Sequence, residues 1–218
     1  MELINTIELS PFEYANKKYE YPNRSSKDFL EELDEFWQKC LSDKNIGHLR
    51  SIRKGSYLVD ITKIGDGELE EIIKNELKSV DLSDYEEQIG RICGGIVIKL
   101  ENQFLIEPTC CGDIGNILEW ENIFEEETEI WSQLWIGHPW IFHRKVNDKI
   151  EFSDYFEKNI EDLKEVKAVL KVPAIELKEK FKIIKEQHVE FEKRIQISLE
   201  RMEIQNSKQI AKLLTRNK

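Results

Sequence analysis

From Ala174 to Thr215 the chain contains neither glycine nor proline, and its apolar residues recur at spacings of three and four. Leu177, Phe181, Ile184, Val189, Phe191, Ile195, Leu199, Met202, Ile210 and Leu213 carry that pattern, which is the mark of an amphipathic helix. About 40 residues of helix would span roughly 60 Å, longer than a small domain is wide. Such a helix must lie along its own body, pair with a second helix, or break. Pairing would use Leu177, Phe181, Ile184, His188, Phe191 and Ile195 as a heptad seam, but Ser198 and Gln205 then fall in it. Packing on the body is the expectation, and a homodimer through this helix is the alternative. The helical pattern is read from Ser153 onward, with Pro173 as its break.

Upstream the pattern changes to short strands and shorter helices. Residues 1–22 read as irregular or short-stranded, punctuated by Pro11 and Pro22. Ser25 to Cys40 reads as a helix opened by the capping box Ser25-x-x-Asp28. Tyr57 to Ile64 alternates as a strand, and Glu68 to Val80 is amphipathic with an acidic first turn. Gly95–Leu100 and Phe104–Glu107 form a hairpin around Glu101-Asn102-Gln103. Asn116-x-x-Glu119 opens a short helix through Phe124. A second hairpin joins Glu129–Ile136 to Trp140–Val146 across Gly137-His138-Pro139, and Ile150–Phe152 adds a strand. Strands that follow one another by hairpins make an antiparallel sheet. The expected architecture is α+β: an antiparallel sheet of short strands with helices packed on it, plus a long C-terminal helical extension. The expected division is an acidic α+β domain over residues 1–157 and a helical segment over 158–218.

Charge is distributed unevenly. The chain carries 43 acidic and 32 basic side chains, a net of -11. Residues 1–150 hold 30 acids and 17 bases, a net of -13; residues 151–218 hold 13 acids and 15 bases, a net of +2. Nucleic-acid binding needs cations to neutralise phosphates, so it is not expected. The N-terminus shows no basic region followed by an apolar one, and no run of about 18 apolar residues exists, so neither a secretory signal nor a membrane span is expected. The four cysteines suggest no disulfide framework, which points to the cytoplasm.

The acidity is concentrated between Leu100 and His143. These 44 residues contain no Lys or Arg, nine carboxylates, four of the five tryptophans, the adjacent pair Cys110-Cys111, and His138 and His143. Soft and borderline ligands such as Cys110, Cys111, His138 and His143 could in principle hold zinc, but no C-x-x-C or H-x-x-x-H spacing is present, so no metal site is assigned. No cofactor fingerprint is present either. A thiol hydrolase would place Cys111 beside His138 or His143, with Asp113 orienting the base. Paired carboxylates and a cysteine nucleophile both lack a spacing that fixes geometry, so no catalytic residue is assigned. The better reading is a partner-binding surface made of Glu119, Trp120, Glu125, Glu126, Glu127, Glu129, Trp131 and Trp135. Tryptophan dominates interface hot spots, and surrounding carboxylates select a basic partner.

Three segments in order, GGIVIKLENQFLIEPTCCGDIGNILEW, LWIGHPW and IEFSDYFE, resemble the SMI1/KNR4 (SUKH) superfamily. The likeness lies in a glycine before a strand, a hairpin, the Gly112-Asp113 turn, a Trp-bearing element, and a final Phe before a helix. It covers roughly residues 85–157. The resemblance implies an α+β domain and, since many bacterial members are immunity proteins, the binding and blocking of a toxin. It supplies no catalytic residues. The expected function is a non-enzymatic binding protein that neutralises a basic toxin by occluding its active site. The alternatives are a Cys/His-dependent hydrolase centred on Cys111 and His138, and a structural dimer made through the long helix.

Overall fold

A computed structural model describes residues 1–124 and 129–215. In chain order the elements are β1 (Glu2–Glu8), α1 (Pro11–Tyr14), α2 (Phe29–Ser42), β2 (Leu58–Asp60), α3 (Asp66–Leu77), α4 (Tyr85–Gln88), β3 (Gly94–Leu100) and β4 (Gln103–Ile106). They continue with α5 (Ile117–Asn122), β5 (Ser132–Leu134), β6 (Ile141–Val146), β7 (Lys149–Ser153), β8 (Ala168–Pro173), α6 (Ala174–Arg201) and α7 (Ser207–Thr215). The fold is α+β, with two four-stranded sheets of order β2-β1-β3-β4 and β5-β6-β7-β8. The pairs β1/β2, β3/β4, β5/β6, β6/β7 and β7/β8 are antiparallel. Among the described residues no helix is long and apolar enough to cross a membrane.

The chain divides into two compact units. One comprises Met1–Asn5 and Cys93–His188, the other Thr6–Ile92 and Val189–Lys218. The boundary expected at 157/158 falls inside the first unit.

The first unit is built on consecutive hairpins. Leu100 pairs with Gln103, and Glu101 takes the left-handed conformation at φ 55° to turn the chain. Val146 pairs with Lys149 across a second tight turn, where Asn147 has φ 55°. Asparagine tolerates that conformation because its short amide bonds locally to the backbone. The His138-Pro139 peptide in the β5–β6 connection is cis. The core holds Ile96, Ile98, Ile106, Trp120, Leu134, Ile141 and Phe152, closed by Leu177, Phe181 and Ile184 of α6.

β8 departs from the expected helix. Ala168–Pro173 alternates instead, with Leu170 and Val172 buried and Val169 and Lys171 exposed. Its β-branched residues suit a pleated, half-buried edge, and the ladder to β7 decides in favour of strand.

In the second unit the expected strand Tyr57–Ile64 is cut short. Asp60 Oδ1 accepts from Thr62 N at 2.8 Å and Thr62 Oγ1 at 2.7 Å, which draws Ile61–Lys63 into a 3-10 turn. Such side-chain bonds compete with the ladder. The capping box at Ser25 is not formed: α2 starts at Phe29 with Asp28 as N-cap, and Ser26 Oγ bonds to Glu32 Oε1 at 2.8 Å. Trp37 is buried on α2, and its Nε1 donates to the Leu9 carbonyl at 2.7 Å.

The long C-terminal helix breaks. α6 ends in a left-handed cap, with Glu203 at φ 59° and Ile204 N donating to Leu199 O at 3.0 Å. Asn206 at φ 58° then starts α7. Within the second unit Arg194 donates to Ile64 O at 2.6 Å and to Asp66 Oδ1 at 3.1 Å. The heptad-seam residues Leu177, Phe181, Ile184, His188, Phe191 and Ile195 are all buried within the single chain.

Candidate functional site

The structure buries one of the residues expected to form a partner-binding surface and leaves others exposed or half-buried. Trp120 is a correction: it is fully buried, 6.0 Å from the Phe152 ring, and belongs to the core. Glu119 is half-buried on α5, and Glu129 is exposed. Glu125, Glu126 and Glu127 lie outside the described residues. Trp131 is half-buried, and the Arg144 guanidinium sits over its ring at 4.5 Å. Trp135 is exposed and stacks on Trp140 at 5.8 Å. The stretch that lacks its own cations receives them from elsewhere in the unit, since Lys185 also pairs with Glu121 at 2.5 Å.

The cysteine–histidine set divides in the same way. Cys110 and Cys111 are exposed, with sulfurs 3.5 Å apart. His138 N donates to Cys110 O at 2.7 Å, which brings that histidine to the same loop. His143 is instead buried on β6 opposite Ser132 and Phe152. Asp113 Oδ1 accepts from Gly115 N at 2.8 Å and so caps the 3-10 turn Ile114–Asn116. Among the described residues no group of three His, Cys, Asp or Glu is arranged to hold a metal ion.

A second feature, which the sequence reading passed over, lies in the unit that contains α2. There a cavity of about 400 Å³ opens between α2 and the segment Tyr19–Asn23. Its floor is one helical stripe, Glu32, Glu35, Phe36 and Lys39, at positions i, i+3, i+4 and i+7. Its wall is Tyr19, Glu20 and Tyr21 followed by Pro22. The Tyr21 ring meets Phe36 edge-on at 5.3 Å, and Phe12 stacks on Tyr21 at 6.1 Å. Phe12 and Tyr21 are 67% and 38% exposed, so the aromatic rim faces water.

The wall is held by one carboxylate. Asp43 Oδ2 accepts from Asn16 N at 2.8 Å and Asp43 Oδ1 from Tyr19 OH at 2.9 Å. The Asn16 amide first, then the Tyr19 hydroxyl, keep the Asp43 carboxyl below its ordinary value. Behind the wall, burial raises the Tyr57 hydroxyl, with the Tyr21 hydroxyl bonded to it. Elsewhere in the same unit burial pushes Glu76 up to about 7, helped by the charge of Glu13 and opposed by Lys78. The sequence signal for the groove was the run Tyr19-Glu20-Tyr21-Pro22, which interleaves aromatic and acidic residues before a rigid turn.

Chemically the groove offers aromatic faces and three carboxylates against one lysine, the setting in which an ammonium or guanidinium group is attracted to π-faces and to charge together. No protein-family model, curated protein or solved structure matches the chain.

Proposed function

We propose that this chain is a non-enzymatic binding protein for a basic protein partner, and that the α2 groove receives a lysine or arginine side chain of that partner. The observation that carries this reading is the aromatic cluster in which exposed Phe12 and Tyr21 pack over buried Phe36, beside Glu20, Glu32 and Glu35. Exposed aromatic clusters bordered by charge are the usual anchors of an interface. The net charge of -11 supports it by steering a cationic partner toward the chain. The resemblance to the SMI1/KNR4 (SUKH) superfamily makes the partner a toxin and the protein an immunity protein that acts by occlusion. The cytoplasm suits it, since none of the four cysteines is in a disulfide.

The test is a calorimetric titration of the full chain with a decalysine peptide, and with decaglutamate as control. Binding of decalysine only is expected, weakening as salt rises. The double variant Glu32→Gln/Glu35→Gln should lose about tenfold in affinity, as two partly screened charge contacts of about 0.5–1 kcal/mol each would give. Phe12→Ala should weaken binding further. Decalysine binding that is absent, insensitive to salt, or equal in the double variant refutes the assignment.

A further inference from the structure

We propose that Cys110 and Cys111 form a surface dithiol that chelates one trivalent arsenic centre carrying a single organic substituent. This site is independent of the α2 groove. Both side chains are exposed, and their sulfurs are 3.5 Å apart.

The loop that carries them is pinned on both sides. Thr109 N donates to Ile136 O at 2.9 Å, Gly112 N to Thr109 O at 2.9 Å, and His138 N to Cys110 O at 2.7 Å. Gly94 N donates to Gly112 O at 3.1 Å. A methyl group added at Gly112 would meet Ile136 O, so that backbone approach requires glycine. Cys111 itself is held at φ 65°, in the left-handed conformation. One of these hydrogen bonds is to the peptide between the two thiols, and the other three hold the residues on either side of it.

The spacing selects among the ligands two thiols can take. A disulfide needs Cα atoms about 4.4–6.8 Å apart, whereas neighbours across a trans peptide are about 3.8 Å apart. Closure would therefore have to distort the pinned peptide. A linear two-coordinate ion with metal–sulfur bonds of about 2.3 Å would need sulfurs about 4.6 Å apart. A bent S–X–S unit with bonds of that length spans about 3.5–3.8 Å at angles of about 100–110°, which matches the observed 3.5 Å. Zinc would be bent but needs four ligands, and among the described residues no group of three His, Cys, Asp or Glu that includes the pair is arranged to hold a metal ion. A pyramidal arsenic(III) centre with one organic group needs two thiolates and no more, and its softness suits sulfur. The step is a condensation: an arsenic(III) oxide and two thiols give two As–S bonds and one water, whose hydrogens come from the two thiols. No atom changes oxidation state.

The test uses the full chain, reduced with a phosphine that is then removed, and one equivalent of phenylarsine oxide, read by intact mass under native conditions. One adduct per chain is expected, with loss of one water. It should survive an excess of glutathione and be removed by 2,3-dimercaptopropanol. Because the second thiol attaches intramolecularly, Cys110→Ser and Cys111→Ser should each lower retention by about 100-fold, while Cys93→Ser and Cys40→Ser leave it unchanged. Circular dichroism of each variant establishes that it is folded. Retention unchanged in Cys111→Ser, loss in Cys93→Ser, ready displacement by glutathione, or equal retention by the urea-unfolded chain would each overturn the proposal.

Discussion

Replacing Glu151 with glutamine tests the electrostatics of the second sheet. Glu151 is 4% exposed on β7, between Arg144 of β6 and Lys171 of β8. Its Oε2 accepts from Arg144 at 2.7 and 2.8 Å, and its Oε1 from Lys171 at 2.6 Å. The Arg144 side chain is 32% exposed and that of Lys171 57%. A well-made charge-assisted bond contributes about 1.5–3 kcal/mol, and an exposed ion pair only about 0–1 kcal/mol. Taking Arg144 at the lower end of the first range and Lys171 within the second, Glu151→Gln should cost about 2 kcal/mol at pH 7. For a chain of this size that lowers Tm by about 4–8 °C. The pH dependence has a definite sign. The Lys171 contact first, and then Arg144, hold the folded carboxyl below its ordinary value of 4.5, against the opposing effect of burial. The unfolded state therefore takes up the proton first. The stabilisation is complete above the ordinary carboxylate range and is lost as pH falls through the lowered folded value. Urea unfolding of both proteins from pH 7 to pH 3 should show the gap in midpoint closing as the pH drops. A gap that is absent at pH 7, or constant across that range, would refute this account of the sheet.

Three further substitutions address burial and backbone. Trp37→Phe should cost about 2–4 kcal/mol, because it strands the Leu9 carbonyl as well as removing packing. Trp120→Phe should cost less, since the Trp120 Nε1 has no hydrogen-bond partner among the described residues; denaturant midpoints for the two variants in the reverse order would count against this difference. Glu203→Gly should raise stability by about 0.5–1 kcal/mol, because glycine adopts the left-handed cap of α6 without steric cost. A lower midpoint for that variant in urea would contradict the cap assignment.

Much of the local structure was legible because it depends on neighbours two to four residues apart. The hairpin at Glu101-Asn102, the turn at Asn147-Asp148, α3 and the helical character of Ala174–Arg201 follow from alternation, turn chemistry and helical spacing. Where two local signals competed, the ladder or a side-chain bond chose: Ala168–Pro173 became a strand against β7, and Asp60 ended β2 early.

The site was less legible because it depends on contacts between distant residues. By itself the sequence determined that Leu100–His143 is acidic, tryptophan-rich and free of lysine and arginine. Only the tertiary structure decided that Lys185 meets Glu121, that Arg144 covers Trp131, and that Trp120 lies in the core. It also decided that Phe12, Tyr21 and Phe36 converge at one groove. The physical reason is range. Propensity and periodicity act between residues a few positions apart, whereas burial and charge pairing act through space and bring together residues that sequence spacing leaves unrelated.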